Sequence, residues 1–382
     1  MILKYNRGGK YVTKFCLSQP YILFYSDEHI YNRTLKVNTP LKNKIKLLLM
    51  LTQPAGKAEK LFYVEREEVA YDEVSSIPEE YIPFILPYAG VYFERDQHCD
   101  ILSQHKQVGP FSFWVQEVFA NESFVLCPYT PMHIWALHFM YDTSLQVELY
   151  ENQSFELVER ECNLFNLESD LHKVPMVAGQ RLLSCHVNFP PDTIKELANL
   201  YPSVAPLSKL ESSGVSGPLN KYPYHINPVC SYLLQRALTC RHIGIPADHF
   251  LYRCCLDLLL NFAQQDRQLP IEVNNVLHLD QVTNLFKLLI DHPHKTFSNA
   301  QLASMFDLSI AELKGSFLKY FSISLNGFIR MIKMMMVFEA LTEKATPLSV
   351  ISDTAGFENW RDLNRAFSRY YGCELDELRR AM

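Results

Sequence analysis

No run of the ~18–20 consecutive apolar residues that crosses a bilayer as a helix occurs in this 382-residue chain; the nearest, Leu47–Leu51 and Leu258–Leu260, are far too short. That excludes a helical membrane protein. The first residues, MILKYNRGGKYVTK, lack the apolar stretch of a secretory signal, so a cytoplasmic protein is expected. The ten cysteines contain no C-x-x-C pair, and the adjacent Cys254 and Cys255 are badly placed to bond one another. The pattern fits a reducing compartment in which thiols serve as small apolar residues, not a disulfide framework. No glycine-rich phosphate loop and no nucleophile motif is found, so no enzyme activity and no cofactor are expected.

A large basic excess is missing as well. The formal net charge is −6, distributed unevenly: residues 1–60 carry +8, residues 279–382 carry twelve basic and twelve acidic side chains, and the middle carries −14. An acidic middle excludes wholesale wrapping of nucleic acid. What is present is globular composition, 48% apolar and 20% charged, with ample material for a core. At ~100–200 residues per domain the length predicts two or three domains.

Residues 61–205 read as β-rich. Phe111–Phe119, His133–Tyr141, Ser144–Glu151 and Arg181–Phe189 are dense in aromatic and β-branched residues, with Asn, Asp, Gly and Pro between them. Many short strands without intervening helices predict a barrel or sandwich. The segment Asp192–Tyr201 reads as a short helix. Residues 206–277 form a loop and helical connector, with one helix from Pro228 and a second from Pro246 to Gln264. This apolar pair either dimerises the chain or packs on its own β layer. Asp266–Leu277 reads as an interdomain linker. The basic segment 1–60 includes a helix-like stretch with a lysine face, Asn38–Leu51. It is either a further DNA-contacting arm or a basic cover for the acidic middle. His98, Cys99 and His105 cluster loosely in sequence, as do His133 and His138, but neither set has the ligand spacing of a metal-binding cupin, so no metal is expected.

Residues 278–382 are helical throughout and contain a quasi-repeat with a period of fifty. Ser309, Leu313 and Phe317 recur as Asn359, Leu363 and Phe367. Each set is a helix N-cap followed by inward apolar residues at helical spacing. Leu302 and Ala303, and again Leu348 and Ile351, supply a preceding helix, and a long helix over Asn326–Leu341 joins the two units. A first helix that braces a second is the arrangement of a helix-turn-helix, whose second helix enters the major groove. In the first unit Ile310, Ala311, Lys314 and Gly315 lie outward near the helix start; in the second, Trp360, Arg361, Asn364 and Arg365 do. Arginine can bond guanine O6 and N7, and asparagine adenine N6 and N7. Arg369, Arg379 and Arg380 lie further along and suit phosphate.

The run GFENWRDLNRAFSRYYGCELDELRR resembles the AraC/XylS signature, with Gly356, Phe357, Asn359, Leu363, Arg365, Phe367 and Gly372 at matching positions. The resemblance covers about residues 279–382. It implies an α+β protein: a cupin-like barrel that senses a small molecule or dimerises, a helical connector, and an all-α reader binding double-stranded DNA. It also implies a bacterial transcription regulator, a homodimer, whose output reaches RNA polymerase. Carried over by position, base contacts fall at Ala311, Lys314, Gly315, Trp360, Arg361, Asn364 and Arg365, with Ser309 and Asn359 as caps of the recognition helices. The chain departs from the pattern at Leu318, where lysine is common, and at Gly315, which has no side chain to read a base. Two readings of its control remain open: a small-molecule effector, or a protein partner docking upstream. The rival from another class is a metal-dependent enzyme with a regulatory tail.

Overall fold

The computed structural model describes residues 3–7, 10–14, 63–66, 76–149, 153–210, 214–265, 277–342 and 346–382. The chain divides into two compact units, 1–51 and 52–382. In the first, strands β1 (Leu3–Arg7) and β2 (Lys10–Lys14) pair as an antiparallel hairpin. The expected helix over Asn38–Leu51 and most of the linker over Asp266–Leu277 lie outside the described residues.

The second unit begins as a β sandwich. Its strands are β3 (Tyr63–Arg66), β4 (Gly90–Arg95), β5 (Cys99–Val108), β6 (Phe111–Ala120), β7 (Phe124–Thr130), β8 (Ile134–Asp142), β9 (Leu145–Leu149) and β10 (Gln153–Leu157), then β11 (Glu161–Leu167), β12 (Asp170–Leu171), β13 (Val174–Met176), β14 (Arg181–Phe189), β15 (Gly217–Pro218) and β16 (Tyr224–His225). The large sheet runs β15-β11-β8-β14-β6-β5-β4, with β16 also on β11; the small one places β3 on one side of β7 and β12 and β13 on the other. The β9–β10 hairpin joins the small sheet through reciprocal backbone hydrogen bonds between Glu148 and Lys173. Among the described residues neither sheet closes on itself; the architecture is α+β with two open sheets facing one another.

The large sheet is covered on both sides, which explains why its strands read as near-continuous apolar runs instead of alternating. Phe111, Phe113 and Val115 of β6, with Leu137, Phe139, Val187 and Phe189, face the helices. Trp114, Val118, Ala136 and Met140 face the small sheet. The nine cysteines among the described residues are all free and buried.

The helices are α1 (Asp192–Leu200), α2 (Pro228–Leu238), α3 (Gly244–Gln264), α4 (Leu279–Asp291), α5 (Asn299–Met305), α6 (Ile310–Phe321), α7 (Leu325–Thr342), α8 (Leu348–Thr354), α9 (Trp360–Tyr371) and α10 (Leu375–Ala381). No single one is long and apolar enough to cross a membrane. Asn227 caps α2, its Oδ1 accepting the Val229 and Cys230 N–H groups at 3.0 Å. Helix α3 is buried almost all round, from Phe250 through Ala263, as befits a helix between two layers. One side meets the large sheet, where Tyr252 packs on Phe111 with ring centroids 5.7 Å apart. The other meets α9 and α10. The connector pair thus packs on its own β layer. Helix α7 is the spine of the C-terminal region, burying Phe328, Met331, Met334, Met335 and Phe338. Its methionines, flexible and unbranched, fill the irregular gaps between two helix pairs.

Candidate nucleic-acid interface

The fifty-residue period is structural as well as sequential. In the first unit Ser298 and Gln301 form a reciprocal capping box at the start of α5. The turn then passes through Asp307, at φ 53°, and the Leu308 N–H donates to the Ala303 carbonyl at 3.0 Å. Ser309 caps α6 in a second box: its hydroxyl accepts the Glu312 N–H at 3.2 Å, and the Glu312 carboxylate accepts the Ser309 N–H at 2.9 Å. These bonds hold the Glu312 carboxyl below its ordinary range. Leu313 and Phe317 are fully buried, and Ser322 stops the helix at φ 53° with its N–H on the Leu318 carbonyl.

The second unit repeats the turn, the second cap, the buried plugs and the stop, although its first helix starts after Pro347 without a side-chain cap. Helix α8 leads to Gly356 at φ 73°, and the Phe357 N–H donates to the Ser352 carbonyl at 3.0 Å. Asn359 caps α9, its Oδ1 accepting the Arg361 and Asp362 N–H groups at 3.0 Å. Leu363 and Phe367 are fully buried, and Gly372 stops the helix at φ 75° with its N–H on the Ser368 carbonyl. Each cap satisfies N–H groups that have no partner inside a helix. Ser309 and Asn359 therefore both cap as expected.

Gly356 is required twice over. Its φ suits glycine, and an added Cβ would lie 2.6 Å from the Thr296 hydroxyl and 3.4 Å from the Lys333 ammonium. That ammonium donates to Thr296 Oγ1 at 3.0 Å and to the Ala355 carbonyl at 3.2 Å, tying the long helix to both units. Gly356→Ala is expected to destabilise the protein by at least about 1–2 kcal/mol, the cost of a left-handed non-glycine residue. The check is a urea midpoint that falls at unchanged slope; an unchanged midpoint contradicts it.

The outward positions are mostly where the sequence puts them. Ala311, Lys314 and Gly315 are exposed on α6, and Trp360, Arg361 and Arg365 on α9. Arg361, Arg365 and Arg369 recur every four residues and form an exposed basic stripe along α9. Arg361 lies over the Trp360 ring at 5.9 Å. Arg365 meets the Asp362 carboxylate at 3.4 Å, an exposed pair of the weakly held kind. Ile310 and Leu318 add exposed apolar surface to α6. Asn364 differs: it is half-buried, and its Oδ1 accepts the Leu375 N–H at 2.9 Å. Arg379 donates to the Thr346 carbonyl, whereas Arg380 is exposed.

The feature that sequence reasoning missed lies at the C-terminal ends of α6 and α9. The last carbonyls of any helix lack intrahelical partners, and here α3 and the N-cap of α2 supply them. Asn261 Nδ2 donates to the Phe321 carbonyl at 2.7 Å and to that of Ser322 at 3.3 Å. Asn227 Nδ2 donates to Asn261 Oδ1 at 2.9 Å and to the Phe321 carbonyl at 3.3 Å. Eight residues back along α3, Arg253 Nη1 donates to the Tyr370 carbonyl at 3.3 Å and its guanidinium lies 3.9 Å from that ring's centroid. His249 Nδ1 pairs with the Tyr371 carbonyl at 3.2 Å. The Arg253 guanidinium is ion-paired with Asp257, which also accepts the Tyr370 hydroxyl. Burial alone would lower the Arg253 pKa, but Asp257 outweighs it and holds the side chain charged; burial keeps the Tyr370 phenol protonated. The only signal in the sequence was the i,i+4 spacing of Arg253 and Asp257, which on most helices marks a solvated pair.

Among the described residues no group of three or more His, Cys, Asp and Glu side chains is placed to hold a metal ion. No family model and no curated protein matches the chain. Similar solved structures do exist. The C-terminal domain of AraT, a response regulator from Geobacillus stearothermophilus, is 18% identical over 27% of this chain and 85% of its own, at a TM-score of 0.26. ToxT from Vibrio cholerae is 11% identical over 70% of this chain and 98% of its own, at a TM-score of 0.28. The DNA-binding domain of the global transcriptional factor AdpA, solved with a target DNA, is 16% identical over 26% of this chain and 91% of its own, at a TM-score of 0.25. These low TM-scores lend no weight to any functional reading of the present chain, which has to come from its own residues.

Proposed function

We propose that this chain is a sequence-specific, double-stranded-DNA-binding transcription regulator of the AraC/XylS type and not an enzyme. One observation carries the reading: two helix-turn-helix units, fifty residues apart, share cap, turn, buried plugs and stop, and the second displays the Arg361, Arg365 and Arg369 stripe. Trp360, Arg361 and Arg365 lie on the first two turns of α9, the part of a recognition helix that meets base edges. Arg369 and Arg380 serve phosphates. Ala311 and Lys314 enter from α6, where Gly315 leaves backbone room and reads no base. Asn364 braces the start of α10 through Leu375.

The cupin-like β region is read as the sensing or oligomerising part, under a small-molecule effector or a protein partner. Control by population shift needs an element that both ends bias. Helix α3 fits, because it packs on the large sheet and holds the ends of both recognition helices. The neutral charge of residues 279–382 implies modest affinity for one monomer, which a homodimer or contact with RNA polymerase would supplement.

Selection of bound duplexes from a random pool by the full-length protein tests the function. Two conserved blocks about one helical turn (~10–10.5 base pairs) apart are the expected result. Failure to enrich any sequence over the starting pool contradicts it.

A further inference from the structure

Between the two sheets lies a cavity of about 680 Å³, open mouth included. Its walls come from both layers: Phe165 from the large sheet, Val174 from the small sheet, and Leu145, Val147, Phe155 and Leu157 from the β9–β10 hairpin. Among the described residues no Lys, Arg, Asp or Glu lines it. Its polar groups are Gln116, Ser184, His138, His172 and His186. Four of them sit together on the large sheet, since Gln116 pairs in register with Ser184, and His138 with His186. His172 comes from the small-sheet side, between β12 and β13.

These groups are buried and incompletely used. Gln116 is 4% exposed, His138 6% and His172 3%. Gln116 Nε2, His138 Nδ1 and both His172 ring nitrogens have no hydrogen-bond partner. Buried polar atoms are almost always paired, so several orphans converging on one apolar cavity point to a missing partner. Water can serve the polar groups but leaves the aliphatic walls hydrated, a cost that an apolar occupant removes. Among the described residues no three of these side chains are placed together to hold a metal ion.

We infer that this cavity takes an uncharged, mostly apolar molecule that carries a hydrogen-bonding group, such as a hydroxyl or carbonyl, and that it rejects the corresponding carboxylate. The inference rests on reading the β region as the sensing part and names its ligand class. The apolar body replaces water against the aliphatic walls. The polar group meets Gln116, His138 and His172, and a neutral imidazole offers it one donor and one acceptor. Desolvation keeps the rings neutral, pushing His138 down to about 4, lowering His172 against the opposing pull of Asp170, and holding His186 well below the usual imidazole range. A carboxylate entering here would be stripped of water, with no cation among the described lining residues to pair with.

The experiment compares dodecanol with dodecanoate as probes, by calorimetric titration of the full-length protein at neutral pH. Dodecanol should bind saturably, one per chain, and dodecanoate at least about ten-fold more weakly. Val147→Trp, which fills the space, should abolish binding. His172→Leu, which removes one hydrogen-bonding partner, should weaken dodecanol by about 3–10-fold. Circular dichroism shows whether each variant keeps its fold; if Val147→Trp does not, His172→Leu carries the test. Absence of dodecanol binding, equal or tighter binding of dodecanoate, or indifference to His172→Leu overturns the inference. The titration contains no DNA, so its failure leaves the duplex-selection result standing, and failure of that selection leaves the cavity result standing.

Discussion

Asp257→Ala is expected to lower the unfolding free energy by about 3–5 kcal/mol, the cost of leaving one partner of a buried ion pair uncompensated. Asp257 and Arg253 are both buried, at 6% exposure each, and face one another within α3. Removing the carboxylate strands a guanidinium that has only the Tyr370 ring and carbonyl left. The Tyr370 hydroxyl loses its acceptor as well. The measurement is a urea melt followed by far-ultraviolet circular dichroism. A loss below about 1 kcal/mol, the range of an exposed pair, contradicts the burial argued here. A control separates charge from shape: Arg253→Met with Asp257→Leu removes both ions and recovers much of the loss, as buried pairs do when replaced by apolar residues of similar volume. It does not recover all of it, because the Tyr370 carbonyl stays without a donor. If recognition depends on α3 gripping the end of α9, this stable double variant still binds DNA more weakly than the wild type.

The C-terminal region was legible because its signals are local. Ser309 and Asn359 announce helix starts within three residues of the bonds they make, and the Leu313/Phe317 and Leu363/Phe367 spacings mark which face is buried. Helix α6 accordingly starts at Ile310, directly after Ser309, and α9 at Trp360, directly after Asn359. The β region was half legible. Strand β14 falls on the expected Arg181–Phe189 and β6 one residue beyond the expected Phe111–Phe119, since aromatic and β-branched residues crowd both. Strand β5, CDILSQHKQV, carries too many polar residues to stand out, yet Ser103, Gln104 and His105 are buried because layers cover both faces of its sheet. What depends on tertiary placement was invisible. His138, His172 and His186 are scattered along the chain, and only the register of β8 with β14 and the facing of two sheets bring them to one cavity. Asn364 carries the residue type of an adenine reader at the right helical position, and nothing nearby in sequence reveals that Leu375, eleven positions on, takes its oxygen.

That placement sets up the sharpest test of the interface, because neighbouring residues on α9 should fail in different ways. Arg365 is exposed, and its one close partner, Asp362, holds it weakly, so its guanidinium is available for guanine. Arg365→Ala should cost about 1–3 kcal/mol at the selected site and flatten discrimination at one base pair, with little effect on stability. Arg369→Ala should weaken binding to selected and scrambled duplexes alike and reduce the salt dependence by about one counterion, as a phosphate contact does. Asn364→Ala should leave base discrimination intact and lower the melting midpoint, because what it loses is the Leu375 N–H partner at the start of α10. The readouts are binding curves on matched and mismatched duplexes at two salt concentrations, beside a melt of each variant. Equal losses on both duplexes for Arg365→Ala would reduce that residue to backbone contact. A loss of specificity in Asn364→Ala without a stability change would return the asparagine to the groove and break the division of labour drawn from its hydrogen bond.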